Sequence, residues 1–305
     1  MFSFIFRRLI YSIFVLWGIS TIVFFLTHLS GDPTDLMLSP DASVEQREMF
    51  RHQMGFDRPL GLQYIDFLIR AAQLDFGDSI RHQQPAMEIV LERVPATLEL
   101  SGFGLLIALV IAIPMGIIAA IKRGSWIDSL SMTIALGGQS FPVFWIGIIF
   151  ILVFSEWLHI LPSSGRGTFR NLILPGITLS FLSMAMIMRV LRSSLLDVLN
   201  ADYMRTALGK GLSFPAAVMK HALRNAAIPV TTIIGLSVGL MLGGAVITET
   251  VFAWPGMGRL AIQAISNRDF PVVQAFVFLN GGVILFINFI VDLLYMWIDP
   301  RIRVS

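Results

Sequence analysis

The chain has 305 residues, of which 55% are hydrophobic and 14% charged, and its mean hydropathy is +0.77. A soluble domain carries about a quarter charged residues, so this composition excludes an ordinary globular enzyme and points to a membrane protein. The 22 basic and 20 acidic side chains nearly cancel, which argues against nucleic-acid binding, and with no cysteine there is no disulfide, thiolate metal site or Cys nucleophile.

A hydrocarbon layer of about 30 Å needs roughly 20 helical residues. Six charge-free stretches approach or exceed that length: 9–31, 100–121, 129–155, 171–188, 225–248 and 270–291. Together they predict an all-α polytopic membrane protein. Arg7 and Arg8 precede the first stretch as they would a signal peptide. Its apolar run is too long for a signal h-region and no A-x-A-like site follows, so it is expected to be retained. The prolines at 114, 142 and 229 fall inside or at the ends of spans. Such prolines kink helices, and neighbours or cavities satisfy the freed carbonyls. Pro175 is expected near the entry turn of the fourth span.

The organisation follows as a membrane helix over 1–30, an extracytoplasmic helical segment over 31–94, a transmembrane domain over 95–294 and a tail over 295–305. Within 31–94, Ser43 and Gln46 fit a capping box and Gly55 a helix stop. Pro59 and Pro85 can each open a helix, and Gly77-Asp78-Ser79 reads as a turn. This is a small helical cap on one face of the bundle. Short loops orient the chain: with both termini inside, the inner segments hold 12 basic and four acidic residues. The long 30–94 segment carries little weight in that count. Glu99 and Asp292 sit at span ends, solvated or hydrogen-bonded at headgroup depth; an ion relay would need acids deep in the bundle, and none is expected there.

The inner loop 189–226 reads as a helix–turn–helix elbow. Residues 193–210 can continue as helix, Gly211 suits a left-handed stop, Ser213 can cap the next helix with Pro215 in its first turn, and that helix runs into the fifth span. Ala201, Ala207, Gly209 and Gly211 make one face small; Arg205, Lys210, Lys220 and Arg224 make it basic. Two readings stand: a knob for a socket on another protein, or a basic surface on anionic lipid.

Asp202-Tyr203-Met204-Arg205-Thr206-Ala207 through Gly211-Leu212, then His221-Ala222-Leu223-Arg224-Asn225, resembles the coupling loop of binding-protein-dependent ABC-importer permeases. Arg205-Thr206-Ala207 stand at the E-A-A positions, Gly211 is the glycine, and His221, Leu223 and Arg224 replace the I, L and P of the general pattern. The Glu, Ile and Pro are absent, as in the oligopeptide/dipeptide branch. That branch is also resembled at Ser30-Gly31-Asp32-Pro33, Phe76-Gly77-Asp78-Ser79, Glu249 through Gly258, Arg268-Asp269-Phe270-Pro271 and Asp299-Pro300-Arg301. The resemblance implies a type I importer permease in the bacterial inner membrane with peptides or similar small polar solutes as cargo. It implies a homologous second permease, two cytoplasmic ATPases that bind ATP and Mg, and an extracytoplasmic substrate-binding protein. It implies no cofactor and no enzymatic activity in this chain.

The absence of a G-x-x-x-x-G-K-[ST] loop agrees that the energy source is a partner. An ion-coupled secondary transporter is the alternative, and it would show intramembrane acids and two related halves. Gly235, Gly239 and Gly243 form a small-residue stripe in the fifth span, open to tight helix packing or to lining a channel. Gln139-Ser140-Phe141-Pro142 in the third span offers an amide and a hydroxyl beside a kink facing the pathway. The five histidines are scattered without metal-ligand spacing.

Overall fold

The computed structural model describes residues 2–29, 43–53 and 57–298, and among them every extended element is a helix. The expected exit turn at 30–33, the stop at Gly55 and the segment from Asp299 lie outside the described residues. In chain order the helices are α1 (Phe2–Leu29), α2 (Val44–Gln53), α3 (Leu60–Ala72), α4 (Ala86–Ile121), α5 (Trp126–Ser140), α6 (Val143–Phe150), α7 (Phe169–Leu199), α8 (Asp202–Gly209), α9 (Phe214–Ala217), α10 (Leu223–Val251), α11 (Met257–Ser266) and α12 (Phe270–Ile298). Wider π-turns extend α6 over Ile151–Trp157 and join α9 to α10 over Val218–Ala222.

Five helical stretches are long and apolar enough to cross a membrane: Phe6–Thr27, Ala86–Ile121, Phe169–Leu199, Phe214–Val251 and Phe270–Leu293. The expected third span is not one kinked helix. It is two limbs, Trp126–Ser140 and Val143–Trp157, set at 107°. Pro142 has no N–H to continue the ladder and forces the residue before it out of the α region. Phe141 accordingly lies at φ −98°, ψ 137°. Pro175 is also displaced from the expected entry turn. It lies inside α7, which begins at Phe169. The charge of Arg170 closed the apolar window early, whereas Thr168 and Asn171 form the cap that starts the helix.

The chain divides into two compact units: Met1–Pro95 with Gly256–Leu285, and Ala96–Pro255 with Phe286–Ser305. In the first, α1 meets α3 through the Thr21 and Tyr64 hydroxyls at 2.7 Å and through Phe24 packed at a tilt against Tyr64 and Phe67. The expected capping box opens α2, with Ser43 N–H donating to Gln46 Oε1 and Gln46 N–H to Ser43 Oγ. Phe76, Met87 and Val90 share a core with Leu260, Ala264 and Val272. The Ser79 hydroxyl donates to the buried Asp269 carboxylate at 2.5 Å. Helix α11 is absent from the sequence reading, although Met257, Leu260, Ala261 and Ala264, all buried, carry the helical period.

The second unit is built around α7, whose apolar window is 67% buried against 33% or less for the other spans. Small residues let its neighbours approach: a Cβ on Gly138 of α5 would stand 3.0 Å from the Phe181 carbonyl and 3.3 Å from Ala185 Cβ. At one end of α10 Glu249 is fully buried and accepts from the Thr97 hydroxyl at 2.6 Å, while the Trp254 indole N–H donates to the Ala96 carbonyl at 2.8 Å. The expectation of no deep acid is therefore corrected. The charge-free window closes at 248, but the helix carries Glu249 inside because Thr97 meets it there. Glu99 is hydrogen-bonded as expected, by Arg166 Nε at 2.8 Å.

Gly138→Val is expected to lower the apparent melting temperature of the detergent-solubilised protein. The overpacking cost is about 1–3 kcal/mol, because the added carbons meet fixed backbone. Gly137→Ala, with open space at its Cβ position, is the control that should leave the melt unchanged or slightly higher, since alanine favours helix.

Candidate functional site

The elbow forms where the sequence places it, with one difference in its first arm. Residues 193–210 are not one helix: α7 stops at Leu199, Asn200 caps it, and Ala201 turns to φ −74°, ψ 149° before α8 begins. Asn bonds readily to local backbone and favours such a boundary; its Nδ2 donates to the Leu196 carbonyl at 3.0 Å. Gly211 takes φ +87°, the left-handed conformation expected of it, and ends the elbow's first helix. Ser213 occupies the N-cap position of α9 with Pro215 in the first turn, yet its hydroxyl makes no cap bond. Helix then continues through the π-turn into α10.

Two side chains of α8 point inward. Met204 is 1% and Ala207 7% exposed, and both join the apolar cluster of Ala217, Val218, Ala222 and Ala226. Leu212 and Leu223 pack against the same cluster. Asn225 Nδ2 donates to the Tyr203 hydroxyl at 3.1 Å, tying the start of α8 to α10. The elbow is thus a braced corner. Ala207 is small because it sits under the corner rather than on its outer face.

The opposite face is open. Tyr203, Leu208, Phe214 and Met219 expose 41%, 39%, 43% and 61% of their surface. Asp202, Arg205, Thr206, Lys210, Gly211, Lys220 and Arg224 are exposed around them, and His221 is half-buried. Arg205 Nη1 stands 3.8 Å from Asp202 Oδ1, an exposed contact of little energetic worth that leaves both groups available. Asp202 also lies in the first turn of α8, where a negative charge suits the helix dipole. This is an apolar patch with a charged rim, the anatomy of a protein interface.

The 139–142 group sits at the break between α5 and α6. Gln139 Oε1 accepts from Arg189 Nη1 at 3.1 Å, the Ser140 hydroxyl donates to the Leu136 carbonyl at 2.7 Å, and Phe141 stacks on Trp145 at 4.8 Å between centroids. Irregular backbone at membrane depth survives only where protein or water satisfies it. The glycine stripe splits. A Cβ on Gly235 would overlap Val291, whereas Gly239 and Gly243 have nothing within 4 Å of that position. Among the described residues no three acidic or histidine side chains gather into a metal-binding group.

Residues 112–304 match the family of binding-protein-dependent transport system inner membrane components, and residues 1–101 match the N-terminal part described for such membrane components. Glutathione transport system permease proteins GsiC of Escherichia coli K12 and of Shigella flexneri are each 42% identical over 304 residues, covering 99% of both chains. The fold also resembles the methionine ABC transporter MetNI in an inward-facing form, with TM-score 0.59, 18% identity, 70% of this chain and 97% of that one. An amino acid ABC transporter crystallised with histidines gives TM-score 0.52 at 15% identity, covering 68% of this chain and 93% of that one. The expectation of a peptide-type permease therefore holds, and the ion-coupled alternative is not favoured. With its exposed elbow on a polytopic helical frame, the chain belongs to the binding-protein-dependent transport system inner membrane components and is the permease subunit of an ABC importer.

Proposed function

We propose that the 202–225 elbow receives the work of two cytoplasmic ATPases, which hold ATP and Mg, and passes it to α7 and α10. The observation that carries this reading is the braced corner with its outward apolar patch of Tyr203, Leu208, Phe214 and Met219. Arg205, Thr206 and Lys210 ring that patch. A rigid corner moves as a body when pushed, and both of its arms continue into spans. In this reading both termini and the elbow face the cytoplasm, and the support is charge: the segments assigned inside carry 12 of the 22 basic residues. The 31–94 segment then lies outside, within reach of the substrate-binding protein.

A homologous second permease completes the pathway. The support is the open side of α10, where Thr232, Leu236, Leu240, Gly243 and Ile247 are exposed at helical spacing. Gly239 and Gly243 leave room there for a close helix or for solute. The 139–142 break is the candidate for a gate on that path. The cargo is a short peptide, with glutathione as the first candidate because the 42% identical relatives are named for its transport.

Three outcomes test this. Purification from membranes should bring down P-loop ATPases, and uptake of radiolabelled glutathione into proteoliposomes of the complex should require both ATP and the binding protein; uptake by this chain alone would overturn the reading. Gly211→Val, which forces a β-branched residue into a left-handed turn, should leave insertion intact while uptake falls at least about tenfold, a loss of roughly 1.4 kcal/mol of coupling. A cysteine placed at Asp202 in this cysteine-free chain should react with a membrane-impermeant maleimide only from the cytoplasmic side.

A further inference from the structure

We infer that the Asp128–Arg192 pair is a positioning clamp that makes α5 travel with the coupling elbow as a single lever. This rests on the elbow reading above and adds the element that the elbow drives. Arg192 Nε donates to Asp128 Oδ1 at 2.6 Å and Nη2 donates to Oδ2 at 2.8 Å, a bidentate fork. The Gly124 N–H adds a third bond to Oδ2 at 3.0 Å. Only 8% of the Asp128 side chain and 22% of the Arg192 side chain remain exposed. An exposed ion pair would be a weak tether. A largely enclosed pair held by three hydrogen bonds resists separation, because parting them leaves a poorly hydrated charge.

The clamp joins three pieces of chain. Asp128 sits in the first turn of α5, whose N-cap Ser125 accepts from the Asp128 N–H. Arg192 sits seven residues before the end of α7, and no break intervenes. One turn earlier on α7, Arg189 donates to Gln139 near the other end of α5. Both ends of α5 therefore meet one turn of α7, the first through the enclosed fork and the second through an exposed hydrogen bond. Beyond Arg192, Leu195 is buried in the cluster that holds Met204, Ala207 and Ala217, and Leu196, Val198 and Leu199 pack against it, so packing bridges the Asn200–Ala201 joint. A push on the elbow reaches Arg192 through this cluster and α5 through the fork. Helix α5 ends at the 107° break, where the chain leaves in another direction. The break takes up the displacement, and Gln139 to Pro142 move with the lever's end. Stability alone would not call for an ion pair here, since apolar side chains of similar volume serve a core equally well.

The test uses the complete transporter in proteoliposomes, with radiolabelled glutathione as probe and ATP hydrolysis measured in parallel. Asp128→Asn and Arg192→Gln should each lower uptake per ATP about tenfold, within the usual range of coupling energies, while hydrolysis continues. The exchanged pair Asp128→Arg with Arg192→Asp should recover part of that ratio. An unchanged ratio in both single variants, with uptake and hydrolysis falling together, would overturn the clamp. A second measurement needs neither substrate nor disruptive variants. Spin labels at Ser129→Cys and Asn200→Cys, in a chain without other cysteines, should keep one separation with and without a trapped ATP analogue. A reference pair at Trp157→Cys and Asn200→Cys, with one label beyond the 107° break, should change separation. If both pairs move alike, the clamp fails alone; if neither responds to nucleotide, the elbow reading fails and takes the clamp with it.

Discussion

Hydrocarbon offers no hydrogen-bond partner, and the described fold obeys that constraint almost throughout. A backbone crossing lipid must bond to itself, which leaves the helix as the available form for a chain of this pattern. The departures from helix are correspondingly informative. At 141–142 the third span breaks, and at 200–201 the elbow begins. Each break has a local chemical cause, Pro142 in one case and the Asn200 cap in the other. Between them, α7 supplies the most buried surface of its unit and fixes what the two breaks can do.

Apolar length located five spans and the bent pair over 126–157, because roughly 20 residues without charge is a signal that few other structures imitate. The elbow was legible for a different reason: Gly211 marks a left-handed stop whatever surrounds it. Three features were not legible. Arg170 and Glu249 closed hydrophobic windows early, yet one lies in a helix that continues and the other is buried against Thr97. Pairing across 152 residues leaves no local trace in the sequence. The 107° angle was hidden for the same reason, since Pro142 announces a kink and only tertiary packing sets its size. Helix α11 carries its period openly, but at ten residues it falls short of the length that marks a span.

Of the candidate residues, Ala207 changed meaning most. Its size suits the underside of the corner, against Ala217 and Val218. The outward chemistry belongs instead to Tyr203, Leu208, Phe214 and Met219, none of which a search for small or charged residues selects. Charged side chains followed the converse pattern. Arg192 reads in sequence as one more juxtamembrane cation, and only the fold reveals that it pairs with a buried Asp128.

Helix α4 carries one more implication. Its 36 residues span about 54 Å, against a hydrocarbon layer of about 30 Å. A perpendicular crossing would leave roughly 24 Å of helix in water or headgroups, and inclination of a helix is magnified at its free end. A change in tilt of about ten degrees would sweep such an overhang through on the order of 4 Å. Small rotations within the bilayer can thereby become ångström-scale signals at the aqueous surface, with no need for any segment to unfold.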